Sequence, residues 1–216
     1  MEIQGAGRTD AGVHALGQVA HLECAKKLNL ETLRIGLNDN LPAGINILKV
    51  ENALPRFHAR HSAMSRSYLY LIAKRRTAFG KRYVWWIKDN LNISKMQQAL
   101  DLFSGFHDFA SFADKRMEKD TSTQVDIEKV ELKEFDDIIA VRVVGSHFLW
   151  KMVRRIVGIT VEMGRGNFSS GDIEKMLCSC SDAPARFTSP PSGLYLEKVL
   201  YEGDKLPEIK PPISLF

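Results

Sequence analysis

The segment Gly5-Ala6-Gly7-Arg8-Thr9-Asp10-Ala11-Gly12-Val13-His14-Ala15 holds the residue types best suited to chemistry. Glycines on both sides of Arg8 and Asp10 let the backbone turn sharply and let another chain approach closely. The loop is not a dinucleotide cradle, because a G-x-G-x-x-G pattern would need glycine where Asp10 stands and no strand-helix-strand unit precedes it. The Lys-Ser/Thr pair of a phosphate-binding P-loop is also missing. What remains is a carboxylate two residues from a guanidinium. Aspartate is ionised at neutral pH unless buried, and a neighbouring guanidinium favours that state. For an isolated R-x-D, the plainer reading is that the two side chains tie down a turn.

A second candidate is electrostatic. Lys and Arg total 30 against 26 Asp and Glu, a formal charge of +4. Between Asn52 and Lys88 there is no acidic residue, while Arg56, Arg60, Arg66, Lys74, Arg75, Arg76, Lys81, Arg82 and Lys88 supply nine cations. Everything outside that segment therefore carries a net charge of −5. Cations concentrated on one segment of an otherwise acidic chain point to a polyanionic partner, against the alternative of a solvated basic face. The interleaved rings of Phe57, Tyr68, Tyr70, Phe79, Tyr83, Trp85 and Trp86 favour RNA, since rings beside cations can stack unpaired bases.

Other chemistries find little support. His14, His58, His61 and His107 invite a metal reading, but no pair has carboxylate or cysteine company at ligand spacing, so packing or RNA contact is expected. Cys24, Cys178 and Cys180 offer neither a disulfide framework nor paired C-x-x-C clusters. Hydrophobic residues at 44% and charged residues at 26% describe a globular chain. Its apolar runs are broken by Arg or Lys, so no membrane association is expected. With no room for an export signal ahead of the Gly-rich loop, a soluble cytoplasmic protein is the expectation.

The elements that must position these residues read as α+β. Val19 to Cys24 and Ile45 to Val50 suit strands, with a short helix from Leu30 to Leu37 between them and a break at Pro55. Arg66 to Lys74 alternates, and Arg82 to Ile87 suits its hairpin partner. Ser94 is a candidate N-cap for a helix carrying Met96, Ala99, Leu100 and Phe103 and ending near Gly105. Val125 to Phe135 and Ile138 to Val144 read as an antiparallel pair. Phe148 to Met163 reads as a helix, apolar on one face and basic on the other through Lys151, Arg154 and Arg155. A last helix from Asp172 to Cys178 and a closing strand from Gly193 to Tyr201 complete the chain.

These segments resemble the TruA family of tRNA pseudouridine synthases. The undecapeptide from Gly5 to Ala15 resembles the family signature, in which the Asp at the place of Asp10 is catalytic and the Arg at the place of Arg8 assists it. Arg56-Phe-His-Ala-Arg60 with Ser65-Arg-Ser-Tyr68-Leu-Tyr70 resembles the second motif, whose first Tyr packs in the active site. His107-Asp-Phe-Ala-Ser-Phe112 resembles the H-D-F-x-S-F element. Phe148-Leu-Trp-Lys-Met152-Val-Arg154-Arg-Ile-Val-Gly158 resembles the F-L-x-x-M-V-R-x-I-V-G segment, placing Arg154 on the active-site Arg, although Arg155 is a neighbouring alternative. Pro190-Pro-Ser-Gly193-Leu194-Tyr-Leu196 resembles the closing A-P-P-x-G-L-Y-L, whose Leu lines the uracil pocket. Five motifs in family order span almost the whole chain. Trp150-Lys151 departs from the family, standing where basic or His residues are frequent. So does Thr123-Gln-Val-Asp126, where a T-x-R-x-I-like start is usual.

The resemblance implies a pseudouridine synthase-like fold: two mixed or antiparallel sheet units with helices on one face and a central basic cleft for RNA. A partial N-terminal α/β unit (1–54) would carry the catalytic loop, and a C-terminal domain (55–216) the basic segment. The implied activity is isomerisation of uridine to pseudouridine in the anticodon stem-loop of tRNA, without a cofactor or metal, by a homodimer. Asp10, Arg8 and Arg154 would act in catalysis, and Tyr68, Leu194, Arg75 and Arg76 would bind substrate. Family chains usually carry a strand and helix with a Y-D-G-T-like segment ahead of the loop, which this sequence lacks. An N-terminally truncated, marginally stable chain follows as an expectation, and so does the alternative of a catalytically impaired tRNA-binding module.

Overall fold

A computed structural model describes residues 2–117 and 121–214. In chain order the elements are β1 (Glu2–Gly5), β2 (His14–Ala15), β3 (Ala20–Glu23), α1 (Leu30–Asn40), β4 (Ser65–Ala73), β5 (Trp85–Trp86), α2 (Ile93–Leu102), β6 (Gly105–Asp108), β7 (Gln124–Phe135), β8 (Ile138–Gly145), α3 (Met152–Arg165), α4 (Ser170–Cys178), α5 (Ala183–Arg186) and β9 (Leu194–Leu200). The class is α+β with mixed sheets. Two compact units form, one from Met1–Gly7 with Val19–Ser62 and one from Arg8–Gln18 with Ala63–Phe216. Pro55 lies inside the smaller unit. The loop Arg8–Gln18 counts with the larger one because β2 pairs with β9 and the Leu16 N–H donates to the Leu196 carbonyl at 2.9 Å.

In the smaller unit β1 and β3 pair antiparallel, from Glu2 opposite Glu23 to Gly5 opposite Ala20. The α1 helix starts at Asn29, whose side chain accepts from the Thr32 N–H. Ile45 to Val50 does not form the strand that its pattern suggests. The Ile47 N–H donates to Asn38 Oδ1 at 2.7 Å and its carbonyl accepts from Asn38 Nδ2 at 3.1 Å. One side chain thus satisfies the backbone groups that a ladder would have used.

The larger unit is built on a seven-stranded sheet in the order β2-β9-β4-β8-β7-β6, with β5 attached to β4. The pairs β4 with β8, β4 with β9, and β7 with β8 are antiparallel, whereas β2 runs parallel to β9. The expected β4–β5 hairpin is not formed: β5 is two residues long and lies parallel to β4, Ile72 opposite Trp85 and Ala73 opposite Trp86. β8 occupies one edge of β4 from Arg66 to Ala73, and β9 occupies the other only up to Tyr70, so the free edge is Leu71–Ala73 and β5 takes its last two places.

Both faces of the central strands are buried, so the period-2 alternation separates two apolar sets. Tyr70, Ile72, Ile139, Val141 and Val143 pack with α2 and α3, while Leu69, Leu71, Ala73, Ile138, Ala140 and Tyr195 pack with Val84 and Ile209. Each fully buried Leu or Ile contributes roughly 1.5–3 kcal/mol. Two expectations for the helices need correction. The N-cap of α2 is Asn92, which accepts from the Lys95 N–H at 3.0 Å, and Ser94 lies inside the helix. The helix after Phe148 starts only at Met152, and it has no basic solvated face: twelve of its fourteen residues are buried, Arg155 among them. It is the core helix of the unit.

Candidate functional site

The Asp10 loop is held by a turn in which the Val13 N–H donates to the Asp10 carbonyl at 3.0 Å. Gly12 occupies the third turn position with φ 80°, which side chains with a Cβ rarely adopt, and a Cβ there would also stand 3.1 Å from Pro191 Cγ. From this turn β2 runs alongside β9, His14 opposite Tyr195. The His14 ring lies 4.9 Å from Tyr83 and 5.1 Å from Tyr195, and its Nε2 contacts the Arg82 carbonyl at 2.9 Å, so this histidine has a packing role. The result is a fixed carboxylate beside Leu194, at the start of β9.

Arg154 comes from the first turn of α3. Its Nε donates to the Ser189 carbonyl at 2.7 Å, and the Ser189 N–H donates to the Arg154 carbonyl at 3.1 Å. This close approach of α3 to the segment after α5 depends on Gly158, where a Cβ would come within 1.7 Å of the Phe187 carbonyl oxygen. So oriented, the guanidinium Nη1 lies 3.7 Å from Asp10 Oδ2. Burial draws the Arg154 pKa below its usual range, with Tyr70 and Asp10 acting the other way, and an arginine remains a cation in either case. Arg155 faces elsewhere, donating to the Ala113 carbonyl and lying 4.0 Å from Asp114.

Tyr68, on β4, meets Phe148 edge to face with ring centroids 5.0 Å apart. Burial pushes its hydroxyl pKa up; the Arg66 charge opposes that shift and the Asp10 charge adds to it. Asp10, Tyr68, Arg154 and Leu194 line one recess together with Val13, Phe148 and Met152. The other expected residues lie outside it. Arg8 is exposed and, among the described residues, makes no hydrogen bond or ion pair with Asp10. Arg75 pairs with Asp137, and the Arg76 guanidinium sits 5.7 Å from the Trp86 ring centroid.

Two residues that sequence reasoning did not single out for a role also belong to the site. The Trp150 indole N–H donates to Asp10 Oδ1 at 2.9 Å, and Asp114 gathers the cations around Trp150. No local signal could have found a contact between residues 140 apart in sequence. Among the described residues no group of three or more His, Cys, Asp or Glu is placed to hold a metal ion. None of the described helices is long and apolar enough to cross a membrane.

A carboxylate, a guanidinium, an aromatic ring and an apolar side chain around one recess suit a planar, polar substrate. Comparison with known proteins names the class. A family described as tRNA pseudouridine synthase matches residues 99–202. The chain is 38% identical over 208 residues to the tRNA pseudouridine synthase A of Geobacillus kaustophilus, covering 95% of this chain and 80% of that protein. It is 38% identical to the protein of that name from Thermodesulfovibrio yellowstonii (93% of this chain, 84% of that one) and 40% identical to that from Ehrlichia chaffeensis (91% and 81%). The chain belongs to the tRNA pseudouridine synthase family, whose members are isomerases. The relatives that define its place there are the A-type synthases.

Proposed function

We propose that this chain isomerises uridine to pseudouridine in the anticodon stem-loop of tRNA, with Asp10 as the catalytic carboxylate. The observation that carries this reading is the meeting of Asp10, Arg154, Tyr68 and Leu194 in one recess. The reaction breaks the bond from ribose C1′ to uracil N1, rotates the base, joins C1′ to C5, releases the C5 proton and takes up a proton at N1, so no redox partner is required. Asp10 can serve by attacking C1′, by attacking uracil C6 or by removing a sugar proton. Asp10 Oδ1 accepts from Trp150, while Oδ2 faces Arg154 at 3.7 Å, beyond hydrogen-bond reach, and keeps its lone pairs for the substrate.

The uridine has to leave its stack, which costs a few kcal/mol. Tyr68 offers a ring on which the extruded base can stack, and Leu194 closes the opposite side. Phosphate contacts from the basic segment between Arg56 and Lys88 offset the cost of unstacking. By family resemblance the working form is a cytoplasmic homodimer. An inactive tRNA-binding module is not favoured, because Asp10 is held by Trp150 and Arg154 of its own unit.

The test is Asp10→Asn, which keeps the side-chain shape and removes the charge. The variant should bind tRNA about as well as the parent and release no tritium from C5-labelled uridine in anticodon-arm tRNA, as expected of a residue acting on the reaction rather than on uniform binding. Tritium release within a few-fold of the parent refutes the assignment.

A further inference from the structure

Asp10 is held by a contact that the proposed reaction does not itself require. The Trp150 N–H reaches Oδ1 at 2.9 Å from the turn just before α3. That indole is in turn gripped from three directions. The Arg116 guanidinium lies over its ring at 4.1 Å, and Lys151 Nζ stands 5.6 Å from the same ring. The backbone N–H of Asp114 donates to the Trp150 carbonyl at 3.1 Å.

Asp114 ties these grips together. Its carboxylate, only 8% exposed, takes Arg116 Nε at 3.0 Å and Lys151 Nζ at 2.8 Å. Lys151 adopts φ 64°, a left-handed conformation that non-glycine residues rarely take, and its ion pair with Asp114 holds that bend. The bend sets the angle at which Trp150 leaves the helix start. The Asp114 carboxyl lies well below the usual carboxylate range, with the Arg116 hydrogen bond as the largest cause, so the cluster stays charged at neutral pH.

We propose that Trp150 is a positioning residue that fixes the Asp10 carboxylate rotamer through its indole N–H, and that Asp114 with Arg116 and Lys151 is the clamp that aims the indole. This rests on the reading of Asp10 as the catalytic carboxylate. With Oδ1 anchored, Oδ2 is presented toward the recess in one orientation. Without the anchor the carboxylate can rotate about its side-chain bonds, and the fraction of time in the reactive geometry falls.

Two ring substitutions separate the hydrogen bond from the bulk of the side chain. Trp150→Phe keeps an aromatic face and removes the donor. Trp150→His removes the benzo ring but keeps a five-membered ring whose Nε2–H superimposes on the indole N–H. Single-turnover tritium release, tRNA Kd and melting temperature should be measured for both, with Asp10→Asn alongside. Trp150→Phe should lower the rate about tenfold or more, as fits the loss of a hydrogen bond to a charged group, with tRNA Kd and melting temperature unchanged. Trp150→His should keep the rate within about threefold of the parent. Asp114→Asn should slow the parent severalfold and slow Trp150→Phe less, since the two act through one contact.

A parent-like rate for Trp150→Phe overturns the inference, and so does an equal loss in both ring variants. If Trp150→His instead weakens tRNA binding while Trp150→Phe is unaffected, the ring is a stacking surface for RNA, and the positioning role is excluded. An active Asp10→Asn would sink the underlying reading, whereas an inactive Asp10→Asn beside a fully active Trp150→Phe sinks only the positioning role.

Discussion

Replacing Gly158 with alanine should reveal how closely the core helix approaches the segment that holds Arg154. The new Cβ would stand 1.7 Å from the Phe187 carbonyl oxygen and 2.8 Å from its carbonyl carbon, both backbone atoms that cannot swing aside. An ordinary carbon-to-oxygen contact is about 3.3 Å, so helix or segment must move by about 1.6 Å. Overpacking of this kind costs about 1–3 kcal/mol. The two hydrogen bonds between Arg154 and Ser189 lie within the displaced segment, and breaking them adds about 0.5–1.5 kcal/mol each. Alanine's better helix propensity returns about 1 kcal/mol. The net loss centres near about 3 kcal/mol, a fall in melting temperature of about 6–12 °C for a unit of this size. Gly36→Ala is the control, since no atom lies within 4 Å of a Cβ at that exposed position in α1, and it should be neutral or slightly stabilising. Thermal unfolding followed by circular dichroism reads both. A Gly158→Ala protein melting at or above the parent would refute the close-approach argument, and with it the account of how Arg154 is oriented.

Three further outcomes are expected. Glu197→Ala should cost about 3–5 kcal/mol in urea unfolding, because Arg142 is 1% exposed and would lose the carboxylate that its Nε meets at 2.7 Å, leaving a buried cation served by Glu131 alone. Asp114 has a depressed pKa in the folded state, so its contribution to stability is fully present above the unfolded-state value of about 3.9 and is lost as pH falls below it. Stability measured from pH 6 downward should therefore drop less steeply below about pH 4 in Asp114→Asn than in the parent. Replacing Arg75 and Arg76 together with Ala should weaken tRNA binding and flatten its salt dependence by about 0.7–0.9 in log–log slope for each phosphate no longer neutralised, while an unchanged slope would move the RNA surface elsewhere.

The sequence carried the long, two-sided strands plainly. Residues of β4 and β8 alternate between two apolar layers, whereas β7 buries Val125 and Ile127 and turns Asp126 and Glu128 to solvent, and that period survives without knowledge of the partners. Short elements were less legible, because what decides them lies elsewhere in the chain. Ile45 to Val50 reads as a strand until the Asn38 side chain takes the Ile47 backbone groups, and Trp85–Trp86 is short because β9 leaves only Leu71–Ala73 of that β4 edge open. The basic residues of the helix after Phe148 suggested a solvated stripe, yet Arg155 turns inward to the Ala113 carbonyl. At the site, Asp10, Arg154, Tyr68 and Leu194 could be named from their motifs. Trp150 and Asp114 could not, since their roles are defined by contacts that exist only after the chain has folded back on itself.

The sheet order β2-β9-β4 places the last strand of the chain between two of its earlier ones. During synthesis on the ribosome, β4, β7 and β8 can pair as they emerge, but β2 has no neighbour in this sheet until Leu194–Leu200 has been made. A nascent chain therefore carries the Asp10 loop undocked through most of translation, and long-range pairings of this kind are also the slow ones in folding. The insertion of β9 brings Leu194 and the Asp10 loop into place in one event. Assembly of the recess thus waits on synthesis of β9: a product interrupted before Leu194 could still fold its β4–β8–β7 sheet yet would lack both a lining residue of the recess and the strand on which β2 docks.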